Sequence, residues 1–409
     1  MNTWSLSWHG LATMVGLEVR QRLRSRKWIW ALAVWFVFIG AITALVMWAV
    51  YKSFSYDCNP AYDSCSLSDS NAGPTAFAVI VMFVLGMGLV IAPAFTATSI
   101  NGDRTQGTLA TLQATKLSAL EIAGGKLISA WLSAAVFLLV VLPFIAVSMI
   151  LGSISVLQVI VCFAVIFILV AIVCAIGLGW SAVVIRSAVS TVLTYLSVTV
   201  LAIISPLVLL MSLGFVQQNE QVQVWGLTYD EWNQYANTPG YQNSTVPPPV
   251  DKCHWYTRSQ VVTRTDQVWW ILVPNPFVIV ADAAPLSPKA QGDLTYASDP
   301  LSDIRGLMRE MARPIPKPLE IDECTQVYYW SNYYSVTPDS NGNIVSVTHN
   351  GTPVEIPPSP VPPRAPGYNH PVWPYGLAVN FVIGVAFFVL AVRRLRIPYH
   401  KLAKDTRVA

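Results

Sequence analysis

Along most of this chain apolar residues neither alternate with polar ones nor recur every third or fourth position; they come in unbroken runs. The long runs are Trp28 to Val50, Ala76 to Thr98, Leu127 to Leu151, Leu157 to Val184, Ser190 to Leu213 and Tyr375 to Val392, and none holds a charged side chain. A helix needs roughly 20 apolar residues to cross about 30 Å of hydrocarbon, so each run predicts a transmembrane helix. A buried helix of a water-soluble protein rarely stays apolar on every face for so long. The first run is too long, and too poor in small residues suited to cleavage, for a removable signal peptide.

Composition agrees: 54% of residues are hydrophobic and only 11% charged, with a mean hydropathy of +0.50. Charge then sets the expected orientation, because segments facing the cytoplasm carry an excess of lysine and arginine. Arg20, Arg22, Arg24, Arg26 and Lys27 precede the first run; Arg393, Arg394, Arg396, Lys401, Lys404 and Arg407 follow the last. With six spans both termini of this multi-pass membrane protein are therefore expected in the cytoplasm, and family resemblance, given below, implies the cell (plasma) membrane. The inside segments then hold 15 of the 25 basic residues but only 4 of the 22 acidic ones. These basic clusters abut the bilayer, without an aromatic-lined groove, and so do not indicate a nucleic-acid partner.

The outside segments carry four cysteines, Cys58 and Cys65 in the first loop and Cys253 and Cys324 in the second. Pairing within each loop is simplest, although four cysteines allow three connectivities. The second loop, residues 214–374, is long and aromatic enough to pack as an α+β domain, with strand alternation from Ile344 to Val354 after a turn at Asn341-Gly342-Asn343. Within it, Val268 to Ala281 is apolar but broken by Pro274 and Pro276, and reads either as a strand pair or as an element dipping into the outer leaflet. Residues 357–366 form a proline-rich tether back to the last span. The fold expected is thus an all-α polytopic membrane protein of six transmembrane helices, with an α+β extracytoplasmic domain between helices 5 and 6. Its divisions are residues 1–27, an amphipathic interfacial helix; 28–213, spans one to five; 214–374, the outside domain; 375–392, the sixth span; and 393–409, a basic tail.

The segment 101–126 lies between the second and third runs. A polar turn is followed by apolar Leu109, Leu112 and Leu117, and Ser118 with Glu121 three residues later forms a capping box. This predicts two short helices around a break near Thr115, an elbow on the cytoplasmic face. It offers no nucleophile with a nearby base and no metal spacing, and its Gly124-Gly125-Lys126 is not part of a phosphate-cradling loop.

At these residues the chain resembles the membrane subunit of ABC-2 type ATP-binding-cassette transporters. The resemblance rests on Asp103-Arg104, Gly107-Thr108-Leu109, Thr115-Lys116-Leu117-Ser118, Glu121-Ile122 and Gly125-Lys126. Where the family more often has glutamate and proline, Asp103 and Lys116 stand here. The stretch Gly177 to Arg186, with Ser187 to Tyr195 after it, is similar to the family's turn between its fourth and fifth spans. The resemblance implies an ABC-2 type transmembrane domain and an exporter permease that is not itself an enzyme and needs no cofactor. It further implies cytoplasmic ATPase subunits as partners, a second membrane subunit that is either a copy or a related chain, and an exported substrate that the sequence does not name. Asp103, Arg104, Gly107, Thr108, Leu109, Thr115, Leu117, Ser118, Glu121, Gly125 and Lys126 are the residues it implies for coupling to the ATPase. No nucleotide-binding loop occurs in this chain, so the motor would be supplied by the partner. The alternative is a non-transporting scaffold or receptor whose outside domain binds an envelope partner. A third reading, an enzyme built on Asp251, His254, Asp322, Glu323 and His370, lacks any triad or metal spacing.

Overall fold

A computed structural model describes residues 6–23, 25–57, 72–109, 117–151, 154–237, 252–285, 299–324, 335–338, 344–349, 352–354, 360–361 and 370–395. Cys58, Cys65, Leu112, Thr115, Lys116, the turn at 341–343, most of the tether and all but the first residues of the basic tail lie outside these.

The chain begins with α1 (Trp8–Leu23) and α2 (Arg26–Asp57). Then come α3 (Ala72–Thr96), the short α4 (Ser99–Thr105), α5 (Ala119–Leu139), α6 (Leu142–Leu151) and α7 (Val156–Val183). The fifth span is compound: α8 (Ser187–Thr199), a π-helical turn (Val200–Ile204) and α9 (Ser205–Leu213). Among the described residues six helical stretches are long and apolar enough to span a bilayer: Trp28–Lys52, Gly73–Thr105, Ala119–Ile150, Val156–Val183, Ser187–Leu213 and Trp373–Leu395. The third begins eight residues earlier than the apolar run, because the Ser118 capping box starts its helix and the polar first turns continue straight into the span.

The fourth span is the hub. Ile166, Val170, Cys174 and Leu178 are fully buried along it, whereas the first and fifth spans keep most of their apolar surface exposed, as lipid-facing or subunit-facing helices do. Close contact at the hub depends on missing side chains: a Cβ on Gly177 would lie 2.2 Å from Thr96 Oγ1, and one on Gly179 would lie 2.6 Å from Phe387. Indole donors stitch the helices to one another: Trp35 Nε1 donates to Phe137 O at 3.0 Å, Trp131 Nε1 to Phe167 O at 2.8 Å and Trp180 Nε1 to Ser197 Oγ at 3.0 Å.

Between the fifth and sixth spans come β1 (Gln217–Gly226), α10 (Tyr229–Ala236) and β2 (His254–Thr263). They are followed by α11 (Pro276–Ala283), α12 (Pro300–Met311), β3 (Glu320–Asp322), β4 (Ser335–Pro338), β5 (Ile344–His349) and β6 (Thr352–Val354), before α13 (Trp373–Leu395) closes the bundle. One sheet has the order β2-β1-β3, with β1 and β2 antiparallel from Gln217↔Thr263 to Gly226↔His254 and β3 parallel to β1; the other is the meander β4-β5-β6. The strand pair read for 268–281 is not observed: short 3-10 turns at Thr265–Gln267 and Trp269–Leu272 lead into α11, where Ile279, Val280 and Ala281 are wholly buried within the bundle core, and this helical dip into the bundle is the dipping segment below.

Cys253 and Cys324 are disulfide-bonded, with Cα atoms 6.6 Å apart, and staple the start of β2 to the end of β3 across the terminal residues of β1. Beside them Arg258 forms a two-pronged pair with Glu323, whose hydrogen bonds push the guanidinium further above its ordinary value. The bridge closes a 71-residue separation. Cys253→Ser with Cys324→Ser is expected to destabilise this sheet by about 4 kcal/mol on a chain-entropy estimate. Near-UV circular dichroism checks it, since Trp225 and Trp255 pair across the two strands with ring centroids 5.6 Å apart; a melting profile identical to the parent's would refute it.

Candidate functional site: the helix elbow

At the end of the bundle opposite the sheets, α1, α4 and the first turns of α5 meet. Ser118 accepts from Glu121 N at 3.1 Å and Glu121 Oε2 accepts from Ser118 N at 2.8 Å, so the capping box read from sequence is formed. Its carboxylate does more than close one helix. Glu121 Oε1 accepts from Ser7 N at 2.6 Å, and Ser7 in turn precedes α1 and accepts from Gly10 N through its hydroxyl. One buried carboxylate thus sits at the N-termini of two helices, where orphan amides and both macrodipoles favour negative charge.

From that point α1 lies along α5. Leu11 and Met14 are buried, and they seat over glycines: a Cβ on Gly125 would fall 2.6 Å from Met14 Cγ, and one on Gly124 would fall 3.3 Å from Leu11. The Gly-Gly pair is therefore a docking groove inside a helix. Beyond it, Lys126 is buried and bound by two carboxylates, Glu18 Oε1 of α1 at 2.8 Å and Asp103 Oδ2 of α4 at 2.6 Å. The Asp103 contact is an ion pair with poorer hydrogen-bond alignment than the Glu18 contact. Ser129 Oγ donates to the second Glu18 oxygen at 3.1 Å. Lys126 thereby ties three helices at one atom.

The break between α3 and α4 leaves backbone groups that an apolar setting cannot hydrate. Ser190 of α8 donates to Ala97 O at 2.7 Å, and Ser181 Oγ of α7 accepts from Ile100 N and Asn101 N at 3.0 and 3.2 Å. The two sequence regions singled out separately, the elbow and the turn between fourth and fifth spans, are thus in contact. At the other end of α4 the chain turns at Gly107, whose φ of 73° lies in the left-handed region that glycine adopts without cost. Leu109 then returns to a buried cluster with Ile100, Ile122, Leu178 and Val392, against which Leu117 also packs.

The predicted coupling residues therefore divide. Asp103, Leu109, Leu117, Ser118, Glu121, Gly125 and Lys126 face inward and build the elbow. Arg104 is part-exposed and, among the described residues, has no ion pair or side-chain hydrogen bond; Thr105, Gln106 and Thr108 beside it are exposed. Sequence reasoning missed Ser7, Glu18, Ser181 and Ser190. Glu18 carried a signal, being the first acidic residue of the chain and set within a basic, apolar stretch.

The family model described as ABC-2 family transporter protein matches residues 12–243, which take in most of α1, the elbow and the first five spans. The chain is a member of the ABC-2 family. A comparison with curated proteins returns no match. Like other ABC-2 permeases, it is a membrane component of transport rather than the catalytic part, with the α+β segment inserted between its fifth and sixth spans.

Proposed function

We propose that this ABC-2 permease is the membrane subunit of an ATP-driven exporter, working as one of two membrane subunits against two cytoplasmic ATPase subunits. The observation carrying this reading is the Glu18–Lys126–Asp103 junction, which with Glu121 makes α1, α4 and the root of the third span one body. Force applied to such a body reaches the second and third spans together, since α4 continues α3 and α5 runs directly into the third span. The excess of lysine and arginine on the segments at this end supports its placement in the cytoplasm, with both termini, and the disulfide supports an oxidising side for the sheets. Residues 1–27 then act as the interfacial helix, 101–126 as the receiver and 214–374 as the outside domain.

Arg104 is the residue proposed to meet the ATPase subunit, while Glu121 and Lys126 shape the surface from within. The test is recovery of the tagged full chain from its native membrane in mild detergent, with mass spectrometry and an ATPase assay on the eluate. A cassette ATPase at near one-to-one stoichiometry is expected, and Arg104→Glu should lower its recovery several-fold, on the order of 1 kcal/mol for a rim charge. A clean preparation without ATPase, repeated in a second detergent, would overturn the reading and favour an envelope scaffold.

A further inference from the structure

The π-helical turn at Val200–Ile204 interrupts the fifth span. Such a turn inserts one residue into the α ladder, so every side chain beyond it sits about 100° from where an uninterrupted helix would place it. Pro206, four residues beyond Ala202, has no N–H, so Ala202 O also lacks its α-helical partner in an apolar setting. The dipping segment supplies one: Asn275 Nδ2 donates to Ala202 O at 3.1 Å and to Ser205 Oγ at 3.0 Å. Through Oδ1 the same side chain accepts from Phe277 N at 2.9 Å and Val278 N at 3.4 Å, capping α11. Asn275 is buried at 3% exposure, with its two donors and both acceptor sites engaged. The sixth span pins the segment from the other side, where Asn380 Nδ2 donates to Pro274 O at 2.8 Å and a Cβ on Gly376 would lie 2.2 Å from Val273 O.

We infer that Asn275 is a positioning residue that sets the rotational register of α9: it holds the π turn open, and its release lets the turn relax to α and rotates the half of the fifth span beyond it. In the register observed, Leu209 is buried in a cluster with Leu272, Val273 and Val278, while Leu210 and Met211 are exposed. A rotation of about 100° withdraws Leu209 from that cluster. The two registers differ in which face of α9 meets the dipping segment and in how Pro206 meets Ala202 O, which makes this a two-state element rather than a loose joint. The inference concerns the end of the bundle away from the elbow and does not rest on the ATPase reading.

The test separates the cap from the latch. Asn275→Ser retains a side-chain oxygen able to cap α11 but has no amide to reach Ala202. Nitroxide labels placed singly at residues 206–213 of the full chain, carrying Cys58→Ala, Cys65→Ala, Cys162→Ala and Cys174→Ala in lipid nanodiscs, report oxygen accessibility around α9. Deletion of Ala202, which removes the extra residue, provides the α-register reference. The accessibility minimum is expected at Leu209 in the parent, shifted by about 100° in Asn275→Ser toward the deletion reference, and partly shifted in Ser205→Ala. A minimum that stays at Leu209 in both variants, or a loss of helical periodicity in place of a shift, would overturn the inference.

Discussion

Lys126→Met is expected to release α1 from the elbow while leaving the six spans in place. The substitution keeps most of the side-chain volume but removes the one cation shared by Glu18 and Asp103, whose side chains are 13% and 22% exposed. Two carboxylates are then left close together without the ammonium that bridged them. Removing one partner of a buried pair costs roughly 3–5 kcal/mol, and the partial exposure of both carboxylates sets the expectation at about 3. That is comparable to what Leu11 and Met14 contribute, since two buried apolar side chains are worth about 3 kcal/mol in total before ordering costs, so the junction supplies much of what seats α1. Tryptic cleavage of the folded chain in detergent reads the result, because Arg20 lies at the end of α1 that Glu18 anchors. Cleavage there is expected to accelerate by on the order of a hundredfold, while the spans stay protected. Pairing Lys126→Met with Glu18→Gln should cost less than the sum of the single changes, because both remove the same Glu18–Lys126 contact. An additive pair, or a cleavage rate like the parent's, would show that the junction does not hold α1.

Why this junction had to be seen rather than read is a matter of range. The six spans announce themselves because bilayer insertion is decided locally, by some twenty consecutive residues. The Ser118–Glu121 box is equally local, three residues apart, and it formed as read. The Cys253–Cys324 pairing was one of three connectivities and needed the β1–β2–β3 register to choose it. Lys126 has one partner 108 residues away at Glu18 and another across the loop at Asp103, and no periodicity links those positions. Likewise the resemblance implied Glu121 and Lys126 for coupling to the ATPase without showing whether their side chains turn to a partner or inward, to α1 and α4. Their burial answers part of that, and leaves Arg104 as the outward-facing charge of α4. In the last span, a search for charges passed over Asn380, a neutral amide whose bond to Pro274 O holds the dipping segment. The segment itself was ambiguous because Val268 to Ala281 is too short to span and apolar on both sides of Pro274-Asn275-Pro276, a pattern that fits a buried strand and a buried helix alike. Asn275 followed by Pro276, a capping residue with proline at the first helical position, was the local cue that favoured the helix.

Asp282→Ala is expected to unseat the sixth span from the dipping segment. The side chain of Asp282 is wholly buried at the end of α11, where its Oδ2 accepts from Val372 N at 2.6 Å and Trp373 N at 2.8 Å, the first amides of α13. Those amides have no partner within their own helix, and the negative charge sits at the positive end of its macrodipole. The other oxygen, Oδ1, accepts from Arg309 Nε at 2.6 Å, which brings α12 to the same point. Alanine therefore removes a cap, a salt bridge and the carboxylate that links three elements in one step. The expected cost is about 3–5 kcal/mol, the range for breaking one side of a buried pair. Asp282→Asn, which keeps an acceptor but not the charge, should fall between the parent and alanine. The measurement is the thermal midpoint of the full chain in nanodiscs, followed by loss of the monodisperse peak, together with tryptic cleavage at Arg309 and Arg313. Cleavage at these arginines should rise before the midpoint is reached, because α12 is held to the bundle partly through this contact. Equal midpoints for all three proteins would mean that apolar packing of Ile279 and Val280 suffices to hold α11 against the sixth span, and that the buried charge serves no purpose in stability. In the expected outcome the polar contacts at Asp282, Asn275 and Asn380 fix where a short apolar helix sits among apolar neighbours, a choice that hydrophobic burial by itself does not make.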